Sequence, residues 1–304
     1  MMKHDRRKFI KQIGAGTIAM AAVPQLYSCS DKEVRLTILH TNDVHSQIEP
    51  LPANHHEYPN GGGYAKRAAL ISKIRQESEH VLLLDCGDIF QGTPYFNFFK
   101  GELELKLMSK MGYDAATIGN HEFDNGIEEL AIQLKKASFP FVCSNYTFDN
   151  TPLEGMTLPY LVINKGSLKI GIVGLGIELD GLVTSDRFGN TKYIDPVEVA
   201  NKTAQLLREK ENCDYIIALS HLGFEYKDDK ISDIKLAENT SEIDMILGGH
   251  THTFMKEPTF VKNKLGKEVV INQMGKSGIF LGRLDVSFSK GSTQPTVINK
   301  LYHV

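Results

Sequence analysis

Cysteine is scarce, and what there is does not pair. The 304-residue chain has four. Cys86, Cys143 and Cys213 each stand in or beside an apolar run. They are an odd number with no close pair, which argues against a disulfide framework and for buried free thiols. Basic clusters are missing beyond the N-terminus. With a net charge of −3 and no Lys/Arg patch interleaved with aromatics, nothing marks the chain as a nucleic-acid binder. Long apolar runs are missing too. The stretch from Ile13 to Val23 is far short of the roughly twenty residues that a bilayer-spanning helix needs. Neither an internal repeat nor a long linker breaks the remainder, so one compact domain of roughly 270 residues is expected.

What is present begins with an N-terminal segment of processing type. Asp5-Arg6-Arg7-Lys8-Phe9-Ile10-Lys11 places paired arginines before the short apolar run, and small residues follow. The segment resembles a twin-arginine export signal, with Asp5 and Ile10 departing from its usual residues. Leu26-Tyr27-Ser28-Cys29 is similar to a bacterial lipoprotein processing site. The resemblance implies removal of residues 1–28 and lipidation of Cys29, leaving residues 29–304 as the mature domain. It would be an exported protein, periplasmic or anchored to the outer membrane, touching the membrane only through its lipid. Ser30 after the cysteine disfavours retention in the inner membrane by the same resemblance.

The rest alternates short apolar runs with helix-like stretches. Val34–Leu39, Val81–Leu84, Ala115–Ile118, Phe139–Cys143, Lys169–Val173, Tyr215–Leu219 and Met245–Leu247 read as strands. Helices are expected at Tyr64–Glu77, Glu102–Lys110, Ile127–Ala137, Val197–Lys210 and Ile231–Glu238. This alternation argues for an α/β fold. The tail, with Thr259–Lys262, Val269–Gln273 and Phe280–Phe288, suggests antiparallel strands with a turn at Asn263-Lys264-Leu265-Gly266.

The polar residues carry the chemistry because of where they fall. Predicted strands run out into His40-Thr41-Asn42-Asp43-Val44-His45, Asp85-Cys86-Gly87-Asp88, Gly119-Asn120-His121-Glu122, Ser220-His221 and Gly248-Gly249-His250-Thr251-His252. Ligands of α/β sheets bind beyond the carboxyl ends of strands, so five strand ends deliver metal-ligand side chains to one rim. In extended chain, residues two apart share a side. Asp43 with His45, and His250 with His252, are therefore expected to act as pairs, while Asn120 and His121 point apart. Any one of these elements alone is commonplace; their succession is not.

The series Asp43-x-His45, Gly87-Asp88, Gly119-Asn120-His121-Glu122, His221 and Gly249-His250-Thr251-His252 resembles the calcineurin-like metallophosphoesterases. The strings around Asp43, Phe90-Gln91-Gly92-Thr93 and Gly119–Asp124 are similar to the 5'-nucleotidase branch, which includes UDP-sugar hydrolases. The resemblance covers essentially the whole mature chain. It implies a four-layer α/β/β/α sandwich with two divalent metals, Zn, Mn or Fe, at the carboxyl ends of strands. Asp43, His45, Asp88 and His252 would hold one metal. Asp88, Asn120, His221 and His250 would hold the other, with Asp88 bridging. It further implies hydrolysis of phosphate esters, most readily nucleotides, by in-line attack of a metal-bound hydroxide. His121 is expected to face the substrate as electrostatic stabiliser or proton donor, oriented by Asp124 one turn on. Glu122 reads as backbone support and Ser220 as structural.

Other features are open at this level. Gly61-Gly62-Gly63 could present N–H groups to an anion or simply form a flexible loop before a helix. His55 and His56 sit in a polar loop that could flank the rim. Phe96, Phe98 and Phe99 could wall the site, with core packing the default. Larger nucleotidases of the branch carry a second domain that stacks the nucleobase. The chain reaches Val304 just after the catalytic domain, so the expectation is either a separate subunit that supplies nucleotide recognition, which is favoured, or broad action on phosphate esters. Cyclic 2',3'-nucleotides, UDP-sugars and thiosulfate esters are alternative substrates on the same fold. A non-catalytic, lipid-anchored metal-binding module is a remote alternative.

Overall fold

The computed structural model describes residues 33–289 and 294–304; the expected export signal, residues 1–28, and the expected lipidation site Cys29 lie outside them. Two sheets dominate. The first has the order β13-β12-β1-β2-β3, from β1 (Val34–Thr41), β2 (Val81–Asp85), β3 (Ala115–Ala116), β12 (Phe280–Phe288) and β13 (Thr296–His303). The second has the order β10-β11-β9-β8-β6-β5, from β5 (Leu161–Lys165), β6 (Leu168–Leu175), β8 (Tyr215–Ser220), β9 (Met245–Leu247), β10 (Thr259–Lys262) and β11 (Glu268–Asn272). A small ribbon pairs β4 (Tyr146–Thr147) with β7 (Lys192–Tyr193).

Side-chain alternation along the strands sets the layers. In β1 and β2, Leu36, Ile38, Leu82 and Leu84 face the second sheet, meeting Tyr215, Ile217 and Leu219 of β8 and Met245 and Leu247 of β9. The odd residues Leu39, Val81 and Leu83 turn outward into a layer with α1 (Tyr64–Glu77), α3 (Glu102–Met111) and α4 (Ile127–Leu134). On the far side, Ile216 and Ala218 of β8 pack against α6 (Pro196–Glu209) and α7 (Asp233–Asn239). Both faces of the central strands are therefore apolar, as continuous runs such as VLLLD require. The result is the four-layer α/β/β/α sandwich. Two further short helices, α2 (Pro94–Phe99) and α5 (Ser185–Phe188), lie in connections. Cys86, Cys143 and Cys213 are buried free thiols.

Several expectations need correction. Phe139–Cys143 does not form a strand; only isolated bridges join Phe141 to Ala116 and Val142 to Leu158. The strand expected at Ala115–Ile118 is regular over two residues and then breaks toward Gly119. The tail strands do pair antiparallel as expected, but they are divided between the two sheets. β10 and β11 form a hairpin around Asn263–Gly266, and β11 then runs parallel to β9. β12 instead crosses to the first sheet, antiparallel to β1. Gly61–Gly63 are not free to cradle an anion: the Gly61 and Gly62 N–H groups donate to Tyr58 O and Val304 O. Gly63, at φ 95°, has no room for a Cβ, which would sit 2.9 Å from the Pro50 ring.

Candidate metal centre

Strands β1, β2, β3, β8 and β9 run parallel where they neighbour one another, and their carboxyl ends open onto one rim that spans both sheets. Beyond those ends, ligating atoms of Asp43, His45, Asp88 and His252 all lie within 4.8 Å of one another. Atoms of Asp88, His221 and His250 form a second group by the same measure, and Asp88 belongs to both. Asn120 Oδ1 approaches the second group, accepting from His250 Nδ1 at 2.9 Å. His40, at the same strand end, stays out. It is buried in the first sheet against Gly282, and burial holds it neutral with its pKa pushed down to about 3.

The pairs converge for a different reason than strand alternation. Asp43, His45, Asp88, His250 and His252 all have positive φ, between 48° and 72°. These are left-handed turns, each costing on the order of 1–3 kcal/mol and persisting because the surroundings over-determine them. The turns split His250 and His252 between the two groups instead of presenting them together. Gly87, at φ 87°, is held by the same crowding: a Cβ there would lie 2.6 Å from Gly119 N.

Hydrogen bonds fix each ligand. His221 Nδ1 donates to Cys86 O at 2.7 Å, and His45 Nδ1 to Phe90 O at 3.3 Å, leaving Nε2 of each ring as a lone pair aimed inward. Asp43 accepts from the His250 N–H at 3.0 Å and from Asn42 Nδ2 at 2.6 Å. Asp88 Oδ1 accepts from the His121 N–H at 2.9 Å. Glu122 is buried and organises the turn behind Asp88. Its carboxylate accepts from the N–H groups of Asp88, Ile89, Phe90 and Gly119 at 2.6–3.1 Å. Burial and the neighbouring Asp88 charge push its pKa up to about 7.

This donor set fits divalent cations. His45 Nε2 and His252 Nε2 face each other at 2.9 Å. His221 Nε2 is fully buried and aimed at the Asp88 carboxylate, 3.1 Å from its Oδ2. Burial opposes charging of His221, but the Asp88 and Asp43 carboxylates win and push its pKa up to about 10. The buried Asp43 and Asp88 carboxylates thus make the pocket favourable to positive charge. Imidazole, carboxylate and amide oxygen are the donors of first-row metals.

His121 and Asp124 stand beside this centre. A 3-10 turn at His121–Phe123 brings Asp124 Oδ2 within 2.8 Å of His121 Nδ1, and the His121 ring lies 5.3 Å from that of His45. The Asp124 hydrogen bond pushes the His121 pKa up to about 9. The turn, not strand alternation, sends Asn120 toward His250 and His121 toward Asp124.

Three supporting residues escaped sequence reading. Asn42 clamps Asp43 to the opposite loop, donating to Gly275 O and accepting from Met274 N, both at 2.8 Å. Gln273 holds the His250–His252 segment. It donates to Gly249 O at 2.8 Å and accepts from Thr251 Oγ1 and the Thr253 N–H. Asp233 accepts from Ser220 Oγ at 2.5 Å, next to His221. The signal for Gln273 was present: it follows an apolar run as the ligands do. Phe98 and Phe99 do not pack in the core as expected; Phe98 is 80% exposed, while Phe96 is buried.

Glu122→Gln replaces an acceptor of four N–H groups with an amide that turns a donor toward them. Metal affinity is expected to fall about 10–100-fold, as for other residues supporting ligands. Titration with Mn or Zn measures this, and unchanged affinity would remove Glu122 from the support of Asp88.

The model of the family described as calcineurin-like phosphoesterase matches residues 36–254, and the chain belongs to that family. Its members use two divalent metals, and the two groups sharing Asp88 suit such a pair. The chain is 37% identical over 291 residues to a snake venom 5'-nucleotidase of Gloydius brevicauda, covering 87% of this chain and 48% of that protein. The crystal structure of a 5'-nucleotidase precursor from Thermus thermophilus superposes with a TM-score of 0.78 at 33% identity, covering 89% of this chain and 54% of that one. The NAD nucleotidase of Haemophilus influenzae gives a TM-score of 0.80 at 28% identity, covering 90% and 51%. The chain spans about half the length of each of these three relatives.

Proposed function

We propose that this chain hydrolyses nucleotide phosphate esters at the rim, with Asp43, His45, Asp88 and His252 holding one divalent cation and Asp88, Asn120, His221 and His250 a second. The observation that carries the reading is the pair of ligand groups sharing the Asp88 carboxylate. Bound there, two cations would supply the Lewis acidity that activates water and offsets phosphoryl charge. The protein's own residues do the rest. Glu122, Asn42 and Gln273 hold the ligand turns against their strain. His121, protonated and fixed by Asp124, donates to the oxygen that leaves or to the phosphoryl oxygens as charge builds on them. Relatives named as 5'-nucleotidases support a nucleotide as substrate. Residues 1–28 as an export signal and Cys29 as a lipidation site form part of the same proposal; the sequence alone supports them.

The test is phosphate release from AMP, UDP-glucose, a 2',3'-cyclic nucleotide and phenyl phosphate, with Mn or Zn and with a chelator. Chelator-sensitive release, AMP leading, is expected. Metal-loaded protein inert to every ester would sink the reading, and thiosulfate esters would then be tried. Restoring metal after chelation is expected to return activity with two ions per chain.

A further inference from the structure

A second group of side chains at the rim is not used by the chemistry above. Phe254 follows His252 by two residues, so their backbones lie within about 7 Å along the chain. Its ring stacks on Phe280, with centroids 4.2 Å apart and planes 20° from parallel. Phe280 meets Tyr58 edge-on at 5.4 Å and His303 at 5.4 Å, and Tyr58 also contacts His303 at 6.0 Å. His55 stacks beyond Tyr58 at 6.3 Å.

Topology puts this tier beside the metal ligands. β12 runs antiparallel to β1, with Gly282 opposite His40, so its first residue, Phe280, stands at the end where β1 delivers Asp43. β13 ends at the same place, with His303 opposite Phe280. Tyr58 and His55 belong to the loop that leaves β1 for α1. The Phe254 segment is tied down by its bridge to Met274 and by the Gly275 N–H donating to Thr253 O at 3.0 Å. Four separate pieces of chain therefore build one fixed aromatic surface, and Phe254 remains 42% exposed upon it. Scattered surface aromatics need no explanation; a stacked set contiguous with a catalytic rim does.

We propose that this tier is a stacking platform for the planar base of the substrate, with Phe254 presenting the receiving face. The proposal rests on the nucleotide reading above and says where the base lies relative to the phosphate. Aromatic stacking tolerates every base because each has a π-face, so the platform would favour larger rings over smaller ones without strict base selection. The exposed Phe98 and Phe99 suit this less well. They and Tyr95 ride on the single short helix α2, and the Tyr95 hydroxyl is turned to the acidic Glu49.

The experiment uses 2-aminopurine riboside, a fluorescent nucleoside that carries no phosphate and cannot be hydrolysed at the metal centre. Titrating the full chain into it is expected to give saturable quenching, competed by adenosine and not by ribose 5-phosphate. Phe254→Leu keeps apolar bulk but loses the ring, and Tyr58→Leu loosens the tier from below. Affinity is expected to weaken about tenfold in Phe254→Leu and less in Tyr58→Leu, with Phe98→Ser unchanged. Thermal melts check that each variant is folded. Absence of quenching by the wild type at millimolar nucleoside overturns the proposal. So does wild-type affinity in folded Phe254→Leu, or loss in Phe98→Ser instead. Phenyl phosphate hydrolysis is followed in parallel. Intact quenching without hydrolysis removes the catalytic reading and keeps the platform; hydrolysis without quenching does the reverse.

Discussion

His121→Ala is expected to lower kcat roughly 10²–10⁴-fold, the range for loss of a positioned proton donor, while two metal ions stay bound. The ring takes part in neither ligand group, and the backbone N–H that Asp88 accepts from survives the substitution. Asp124→Asn is the informative companion. It keeps the size of the group but removes the charge that holds the imidazole protonated, so kcat should fall by less and KM change little. The loss should also be smaller for esters with acidic leaving groups, such as aryl phosphates, than for AMP, because a good leaving group needs no proton. Equal losses on both would move His121 from proton donor to electrostatic stabiliser. Loss of metal in His121→Ala would make it a structural residue.

Asp88→Ala should act on the metals themselves and cost more than any supporting residue, beyond the about 10–100-fold in metal affinity expected there. Its carboxylate belongs to both groups. The variant also leaves His221 beside one carboxylate fewer, so the force that charges that buried ring weakens. Metal analysis of the purified protein is expected to show fewer than two ions, with phosphate release at background. By contrast, His252→Ala should weaken one site and spare the other. A variant lacking Asp88 that still binds two ions would refute the shared-ligand arrangement.

Much of this was legible from the residues. The helix Tyr64–Glu77 and the strands Met245–Leu247, Thr259–Lys262 and Phe280–Phe288 have the bounds that periodicity gives. The positions of Asp43, Asp88, Asn120, His221 and His250 after apolar runs already placed them at one rim. What could not be read is geometry that depends on tertiary packing. Edge strands such as Leu161–Lys165 and Thr296–His303 are only half-buried and mix polar with apolar residues, so they carry no continuous run. Left-handed turns at Asp43 and His250 are set by hydrogen bonds from distant segments; a sequence window sees only Asp-x-His and assumes extended chain. Gln273 follows an apolar run as the ligands do, but its partners, like those of Asn42, are backbone atoms of loops remote in sequence.

The first sheet is completed by strands remote in sequence: Val34 pairs with Phe288, and β12 and β13 complete the side of β1 away from β2. During synthesis, β1 must therefore wait with a bare edge while nearly the whole domain is made. Contacts of such long sequence separation form slowly. The second sheet, whose strands all lie between residues 161 and 272, can assemble first. Its rim carries only His221, His250 and His252, with no carboxylate among these candidate ligands to hold a cation firmly. Each ligand group draws on both sheets, so neither is complete until the two sheets have packed together.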